Sequence, residues 1–222
     1  MAMTFVPHPG TMPLERIRDF VRVRPARPED LPRIPALMRR VYAPPQFGPE
    51  SVWSERSLTS HLEHFPQGQF VAVTTEGRLV GTATSMRVPL SRALAPHTWA
   101  DITAHGTLES HDPAGSALYG VNITVDPELQ GLGIGRMIYE ARFRLGRSEG
   151  CLAFLAGARL ADYHHHKNLS PEAYTMEVIA GRIYDPTLSK QLALGFVVRG
   201  LLRGYAPDPH TGGHAALIYR AL

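Results

Sequence analysis

One stretch limits most sharply what this chain can fold into: VNITVDPELQGLGIGRMIYEARFRLG, residues 121–146. Its opening, up to Val125, is rich in β-branched residues and reads as the end of a strand. Asp126-Pro127 makes an exit turn. Gln130-Gly131-Leu132-Gly133-Ile134-Gly135-Arg136 then leads straight into a helical pattern. Glycine lets a backbone turn tightly and approach a ligand closely. The first N–H groups of a helix lack intrahelical partners and sit at its positive end. Strand, glycine-rich turn and helix start in this order build an anion site, most naturally for phosphate. The plain alternative is that the glycines only let helix and strand pack closely.

The turn departs from two familiar phosphate patterns. A dinucleotide fingerprint wants G-x-G-x-x-G, and Arg136 stands at its third glycine. A Walker loop needs Gly-Lys followed by Ser or Thr, and the sequence contains none.

Composition bounds the rest. A length of 222 residues fits one large domain or two small ones. A hydrophobic share of 44% is enough for a sizeable core and argues against wholesale disorder. Cys151 is the single cysteine, which excludes an intramolecular disulfide and a multi-Cys zinc site. At the start of an apolar run it reads as a buried small hydrophobe. A net charge of +3 is too weak to argue for nucleic acid. The basic residues are almost all arginine, with Lys167 and Lys190 the two lysines, which reads as compositional bias. No run reaches the roughly 18 apolar residues of a membrane span. The start lacks a basic region followed by an apolar one, so a cytoplasmic protein is expected.

Along the chain, residues 1–19 read as an arm and 20–222 as one domain. Phe20–Arg24 alternates as a short strand. A helix follows around Leu31–Val41, its start made uncertain by Pro32 and Pro35. A Pro-rich break spans 43–49, and Ser51–His64 reads as a second helix. Gln69–Thr75 and Arg78–Val88 form a hairpin pattern around Glu76-Gly77. Residues 89–116 are a long connection with His97, His105 and His111, and a short helix near Thr98–Thr103. Leu118–Val125 is a strand, Gly131–Gly150 a helix and Leu152–Ala158 an apolar strand. A helix opens at Ser170-Pro171, and another spans Pro186–Leu194 and stops at Gly195. Phe196–Leu202 and Ala215–Arg220 read as a final strand pair. The expectation is an α/β (α+β mixed) fold with a mixed sheet.

The spacing Gln-x-x-Gly-x-Gly after a strand ending in a Val-x-Pro turn resembles the acyl-CoA pyrophosphate loop of the GNAT superfamily of N-acyltransferases. Gln130, Gly133 and Gly135 match its three positions. The element order and the late Gly195-Phe196 ending are similar too, so the resemblance covers about residues 20–222. The stretches LAGARLADYHHH and SPEAYTMEVIAGRIYDPTLSKQLALGFVVRGLL look closer still to the GNAT domains fused to nitrilase-like carbon–nitrogen hydrolases in some bacteria. The chain is too short to hold such a partner domain as well.

The resemblance implies a mostly antiparallel central sheet, splayed at its middle and flanked by helices. It implies acetyl-CoA or another acyl-CoA as cofactor, and direct attack by an amine within a ternary complex. Gly131, Leu132, Gly133, Ile134, Gly135 and Arg136 would meet the pyrophosphate, with Gln130 opening the loop. Ile123, Thr124 and Val125 would line the pantetheine arm, and the N–H near Ile123 is the family's usual oxyanion donor. The family's general-acid tyrosine, four residues before Gly-Phe, is Gln191 here, and glutamine is no proton source. Tyr184, seven residues earlier on roughly the same helical face, is a substitute to weigh but is better spaced to touch the pantetheine arm, which leaves water or the nearby Ser189 to meet the thiolate. No carboxylate lies on 119–125 to serve as base. His164 is the best substitute, because it titrates near neutral pH; the plain alternative is a loop histidine. The triplet His164-His165-His166 reads as a polar loop, its side chains diverging, so no metal site is expected. The Arg142, Arg144 and Arg147 group reads as a solvated helix face.

The expected acceptor is a small-molecule or peptide amine, with His97, His105 and His111 either lining its site or merely populating a polar loop. No nucleic acid and no membrane are expected, and a homodimer is left open. Two rivals stand beside catalysis. One is a non-catalytic acyl-CoA-binding sensor or regulatory module. The other is an unrelated nucleotide-binding protein using the same turn.

Overall fold

The computed structural model describes residues 14–42 and 51–222, so the Pro-rich break and the first thirteen residues lie outside the described residues. Seven strands form one sheet in the order β1-β2-β3-β4-β5-β7-β6. They are β1 (Val21–Pro25), β2 (Gln69–Thr74), β3 (Leu79–Val88), β4 (Ala117–Val125), β5 (Ala153–Arg159), β6 (Val197–Leu202) and β7 (Ala215–Ala221). Every neighbouring pair is antiparallel except β4 and β5. Eight helices accompany them among the described residues: α1 (Leu14–Phe20), α2 (Ile34–Val41), α3 (Glu55–His64), α4 (Leu90–Leu94), α5 (Trp99–Thr103), α6 (Ile134–Ser148), α7 (Pro171–Ile179) and α8 (Leu188–Leu192).

Strand alternation divides the core between the two faces of the sheet. Tyr119, Val121 and Leu155 face a cluster shared with Leu37 and Met38 of α2 and Leu58 of α3. Leu118, Phe154 and Ala156 face Tyr139 and Phe143 of α6, together with Tyr174 of α7 and Leu188 of α8. The far end of α6 packs Ile134, Met137 and Ile138 onto Phe70, Val80 and Ala83.

The differences from the sequence reading have physical causes. The helix expected around 31–41 begins as a 3-10 turn over Pro28–Arg33, with Pro32 inside it. A proline cannot donate and crowds the preceding turn, so the α-helix proper starts only at Ile34. The second helix starts at Glu55, where Ser54 accepts the Ser57 N–H. Residues 14–19 of the expected arm, together with Phe20 of the expected first strand, form α1. Its Ile17 is buried in the cluster under α6, and Arg18 bonds Glu140 at 2.8 Å.

One core group sets a pH limit on stability. His61 of α3 is buried, and its Nε2 donates to the Gly106 carbonyl at 2.7 Å. Burial lowers its pKa from 6.5 to about 4. Between those values the unfolded chain binds the extra proton. Stability is therefore complete above about pH 6.5 and is lost as pH falls toward 4, by ~3 kcal/mol in all. Urea unfolding across that window is expected to show the slope, and His61→Gln is expected to flatten it.

Candidate active site

The centre of the molecule is where β4 and β5 part. They pair in parallel from Ala117↔Ala153 to Gly120↔Ala156, and there the pairing ends. Yet β4 runs on to Val125 and β5 to Arg159. The cause is visible in the β3–β4 register: Ser85 faces Gly120, but Thr84 faces Asn122, so Val121 is an extra residue. Such a bulge bends and twists its strand, here away from β5. The backbone of β4 beyond Gly120 is left facing a cleft.

Arg142 of α6 stands behind this bulge. Its guanidinium donates to the carbonyls of Thr84 (2.7 Å) and Asn122, on β3 and β4. It is 1% exposed, and burial lowers its pKa from 12.5 to about 10. The rings of Tyr139 and Phe154 lie 5.6 and 5.7 Å from it. The reading of residues 142, 144 and 147 as one solvated face therefore fails at Arg142, while Arg144 and Arg147 are exposed. Arg142 sits four residues after Ile138, on the buried stripe of α6.

Beyond Val125 the chain is pinned before it turns. The Asp126 carboxylate is fully buried. It accepts from Arg40 and Arg78 at 2.7 Å each and from the Glu128 N–H at 3.1 Å. Gln130 Nε2 reaches back to the Val125 carbonyl at 3.1 Å. Gly131 (φ +84) and Gly133 (φ +90) are both left-handed, which disfavours any other residue. Leu132 and Ile134 are buried and anchor the turn from below. Met137 N–H makes the first helical bond, to the Gly133 carbonyl. The N–H groups of Ile134, Gly135 and Arg136 precede it and have no intrahelical partner. A Cβ on Gly131 would meet nothing within 4 Å, so the turn borders open space. Arg136 is exposed and pairs with Glu140 at 3.2 Å.

A second group lies on the opposite face. His97, from the α4–α5 connection, has Nε2 2.8 Å from the Tyr119 hydroxyl, which is 2.9 Å from the hydroxyl of Tyr205. Trp99 donates from Nε1 to the Val121 carbonyl at 3.3 Å. The sequence offers His97 as one of three loop histidines, either lining the acceptor site or populating the loop, and places neither Tyr119 nor Tyr205 beside it. The alternation that puts Tyr119 on the same face as Val121 was the available signal. Farther along β4, Asn122 donates to the Tyr42 hydroxyl at 3.1 Å and Thr124 donates to Asn122 Oδ1 at 3.1 Å.

The third group is the loop after β5. Asp185 is fully buried and accepts from Tyr174 at 2.8 Å, and from the N–H groups of Asp162, Thr187 and Leu188. This ties the turn holding His164 to the segment holding Tyr184. Tyr184 itself is 64% exposed. The His164 ring lies 3.8 Å from that of His165 and 4.1 Å from that of His210. The first two histidines thus pack together rather than diverge. Burial and these neighbours lower the His164 pKa. Ser189 accepts the Asp185 N–H at 2.9 Å, inside its own turn. Gln191 is buried and donates to the Tyr139 hydroxyl at 2.9 Å, so it braces α8 on α6. Cys151 is buried, which raises its pKa.

Among the described residues no group of His, Cys, Asp and Glu is placed to hold a metal ion. Nor is any helix among them long and apolar enough to cross a membrane.

Comparison with known proteins agrees with this geometry. The family model described as the acetyltransferase (GNAT) family matches residues 36–166. The Bacillus subtilis (strain 168) protein named "Uncharacterized N-acetyltransferase YkwB" is 32% identical over 190 residues, 85% of this chain and 83% of that protein. "Probable hydrolase YhcX" of the same organism is 37% identical over 157 residues, 70% of this chain. The chain spans only 30% of that relative's length. A solved structure of the GphF GNAT-like decarboxylase in complex with isobutyryl-CoA has a TM-score of 0.75 and 27% identity, covering 90% of this chain and 98% of that one. With a splayed mixed sheet, a glycine turn at its centre and a family match across most of the core, the chain belongs to the GNAT acetyltransferase family.

Proposed function

We propose that this protein is an N-acyltransferase that passes an acyl group, most simply acetyl, from acyl-CoA to a small-molecule or peptide amine. GNAT enzymes use acyl-CoA. The observation that carries the reading is the joining of two features at one strand: a cleft where β4 leaves β5, and an anion-binding turn directly after it. The donor fits what the chain offers. Unpartnered N–H groups at the start of α6 and the open side of Gly131 suit a pyrophosphate. The unpaired edge of β4 at Ile123, Thr124 and Val125 suits an amide-bearing pantetheine arm. The bound thioester supplies an activated acyl carbon and a thiolate leaving group.

In this reading Gln130 holds the loop to the strand end, and Gly131 and Gly133 set its curvature. Asp126 fixes the loop's entry through Arg40 and Arg78. The backbone N–H groups at the β4 edge stabilise negative charge that develops on the acyl oxygen. Gln191 is engaged with Tyr139 and does not supply a proton. Tyr184 and Ser189 lie on either side of the buried Asp185 turn. His164, past β5, is one of two candidate proton acceptors, the other being the hydrogen-bonded group of Tyr205, Tyr119 and His97. The protein acts by positioning two substrates and by fixed dipoles more than by a strong acid.

A thiol-release assay with acetyl-CoA and a broad amine panel tests this. The expected result is amine-dependent release of CoASH. Binding of acetyl-CoA with no turnover across the panel would instead support a sensor or regulatory module. The likeness to a protein named as a GNAT-like decarboxylase favours one further reading: loss of CO2 from an acyl-CoA bearing a carboxylate β to the thioester. Amine-independent CO2 release from such a substrate would replace acyl transfer as the conclusion.

A further inference from the structure

His97, Tyr119 and Tyr205 come from three separate parts of the chain and meet at the apex of the splay. His97 Nδ1 lies 2.7 Å from the carbonyl of Ala95. A carbonyl can only accept, so Nδ1 carries the proton. In the neutral ring Nε2 is then a bare lone pair, and the Tyr119 hydroxyl 2.8 Å away donates to it. A hydroxyl has one proton, so the Tyr119 oxygen accepts from the Tyr205 hydroxyl at 2.9 Å. The hydrogen bonds therefore run one way, from Tyr205 to Tyr119 to His97.

The two ends differ. The Tyr205 ring lies over Gly157, where a Cβ would come within 2.3 Å of its Cζ. Gly157 is the first β5 residue past the pairing with β4. Its N–H favours the ionised form of both phenols, against the burial that raises their pKa values. The Trp99 N–H holds the Tyr205 carbonyl at 2.7 Å, and the Trp99 indole holds the bulge residue Val121. This fixes the inner end to the cleft-forming strand. At the outer end His97 is only half-buried, while Tyr119 is fully buried.

On the reading of the protein as an amine acyltransferase, we propose that Tyr205, Tyr119 and His97 form a one-way relay carrying the proton of the attacking amine from the cleft to solvent. The amine nitrogen forms a bond to the thioester carbonyl carbon. The C–S bond breaks with its electron pair left on sulfur, and the thiolate takes a proton from water. The proton leaving nitrogen passes to the Tyr205 oxygen. The Tyr205 proton moves to Tyr119, and that of Tyr119 to His97 Nε2. The imidazolium loses its Nδ1 proton to water beside the exposed Ala95, and proton exchange with water together with rotation of the two hydroxyls then restores the Nδ1–H tautomer. Four groups face His97: Arg92 of α4, Asp101 of α5 and the two phenols. Burial and Arg92 lower its pKa, while the Ala95 carbonyl and Asp101 raise it, for a net fall below 6.5. The ring is thus neutral and able to accept at pH 7. The rate should fall as pH drops and His97 is protonated.

The test compares the wild type with Tyr205→Phe, Tyr119→Phe and His97→Gln in CoASH release across pH, with acetyl-CoA affinity measured beside it. The relay predicts a loss of about 100-fold or more in kcat for each variant, the scale of acid–base assistance. Acetyl-CoA affinity is expected to stay unchanged, and the acidic limb of the wild-type profile to vanish in His97→Gln. Wild-type turnover with undiminished variants, or a limb that persists in His97→Gln, overturns the relay alone. Absence of wild-type turnover overturns the acyltransferase reading, and the relay with it. Should the variants not fold, 15N NMR of the wild type decides: the relay requires the Nδ1–H tautomer of His97, and the Nε2–H tautomer overturns it.

Discussion

Gly133→Val is expected to weaken acyl-CoA binding by about 100-fold, the equivalent of ~3 kcal/mol or two charge-assisted hydrogen bonds. Gly133 caps α6 at φ +90, ψ +3. A β-branched residue held there costs roughly 1–2 kcal/mol, so the turn relaxes toward negative φ. That relaxation swings the N–H groups of the first turn away from their common focus. The control is Gly77→Val. Gly77 is also left-handed, at φ +83 in the β2–β3 turn, with nothing within 4 Å of a built Cβ. It should carry similar backbone strain and leave binding unchanged. Calorimetric titration of both variants checks the pair of outcomes. Equal affinity of Gly133→Val and wild type would remove the loop from the binding site.

Arg142→Ala is expected to have the largest effect on stability, a loss of ~4 kcal/mol. Truncation leaves the carbonyls of Thr84 and Asn122 buried without a donor, at about 1–3 kcal/mol each, and opens a cavity in a packed region. Holding a charge there is itself costly, as the fall in pKa from 12.5 to about 10 records. Arg142→Met removes that cost and fills the space, so it should lie between Ala and wild type. For a chain of this size the Ala variant should melt roughly 10 °C lower. Because the two carbonyls flank the bulge at Val121, the same variant should also loosen the cleft and weaken acyl-CoA binding. A melting shift under ~2 °C for Arg142→Ala would show that the bulge holds without it.

The glycine turn was legible because its function is written in the backbone. Gly131 and Gly133 occupy positive φ, a need that residue type reveals directly. Strand alternation and the cap at Ser170 were legible for the same local reason, whereas the Ser54 cap lies three residues past the expected helix start at Ser51. The proline-rich start of α2 was read less well, since Pro32 and Pro35 permit several short helical geometries and the packing of Asp30 against Arg24 selects one. Arg142 was misread because its neighbours Arg144 and Arg147 are exposed, and charge alone does not tell which arginine faces inward. The group around Tyr119 was illegible for a different reason. Tyr119 and Tyr205 are 86 residues apart, and only the sheet order brings them together. Gln191 likewise announced what it lacks, but its bond to Tyr139 depends on how α8 docks on α6.

The most direct test of the central claim, that the turn after β4 receives an acyl-CoA, is a calorimetric titration of acetyl-CoA into the full chain. Saturable binding at one site per chain, with ATP and NAD giving none, is the predicted result. No heat with acetyl-CoA, alongside saturable binding of ATP or NAD, would contradict it.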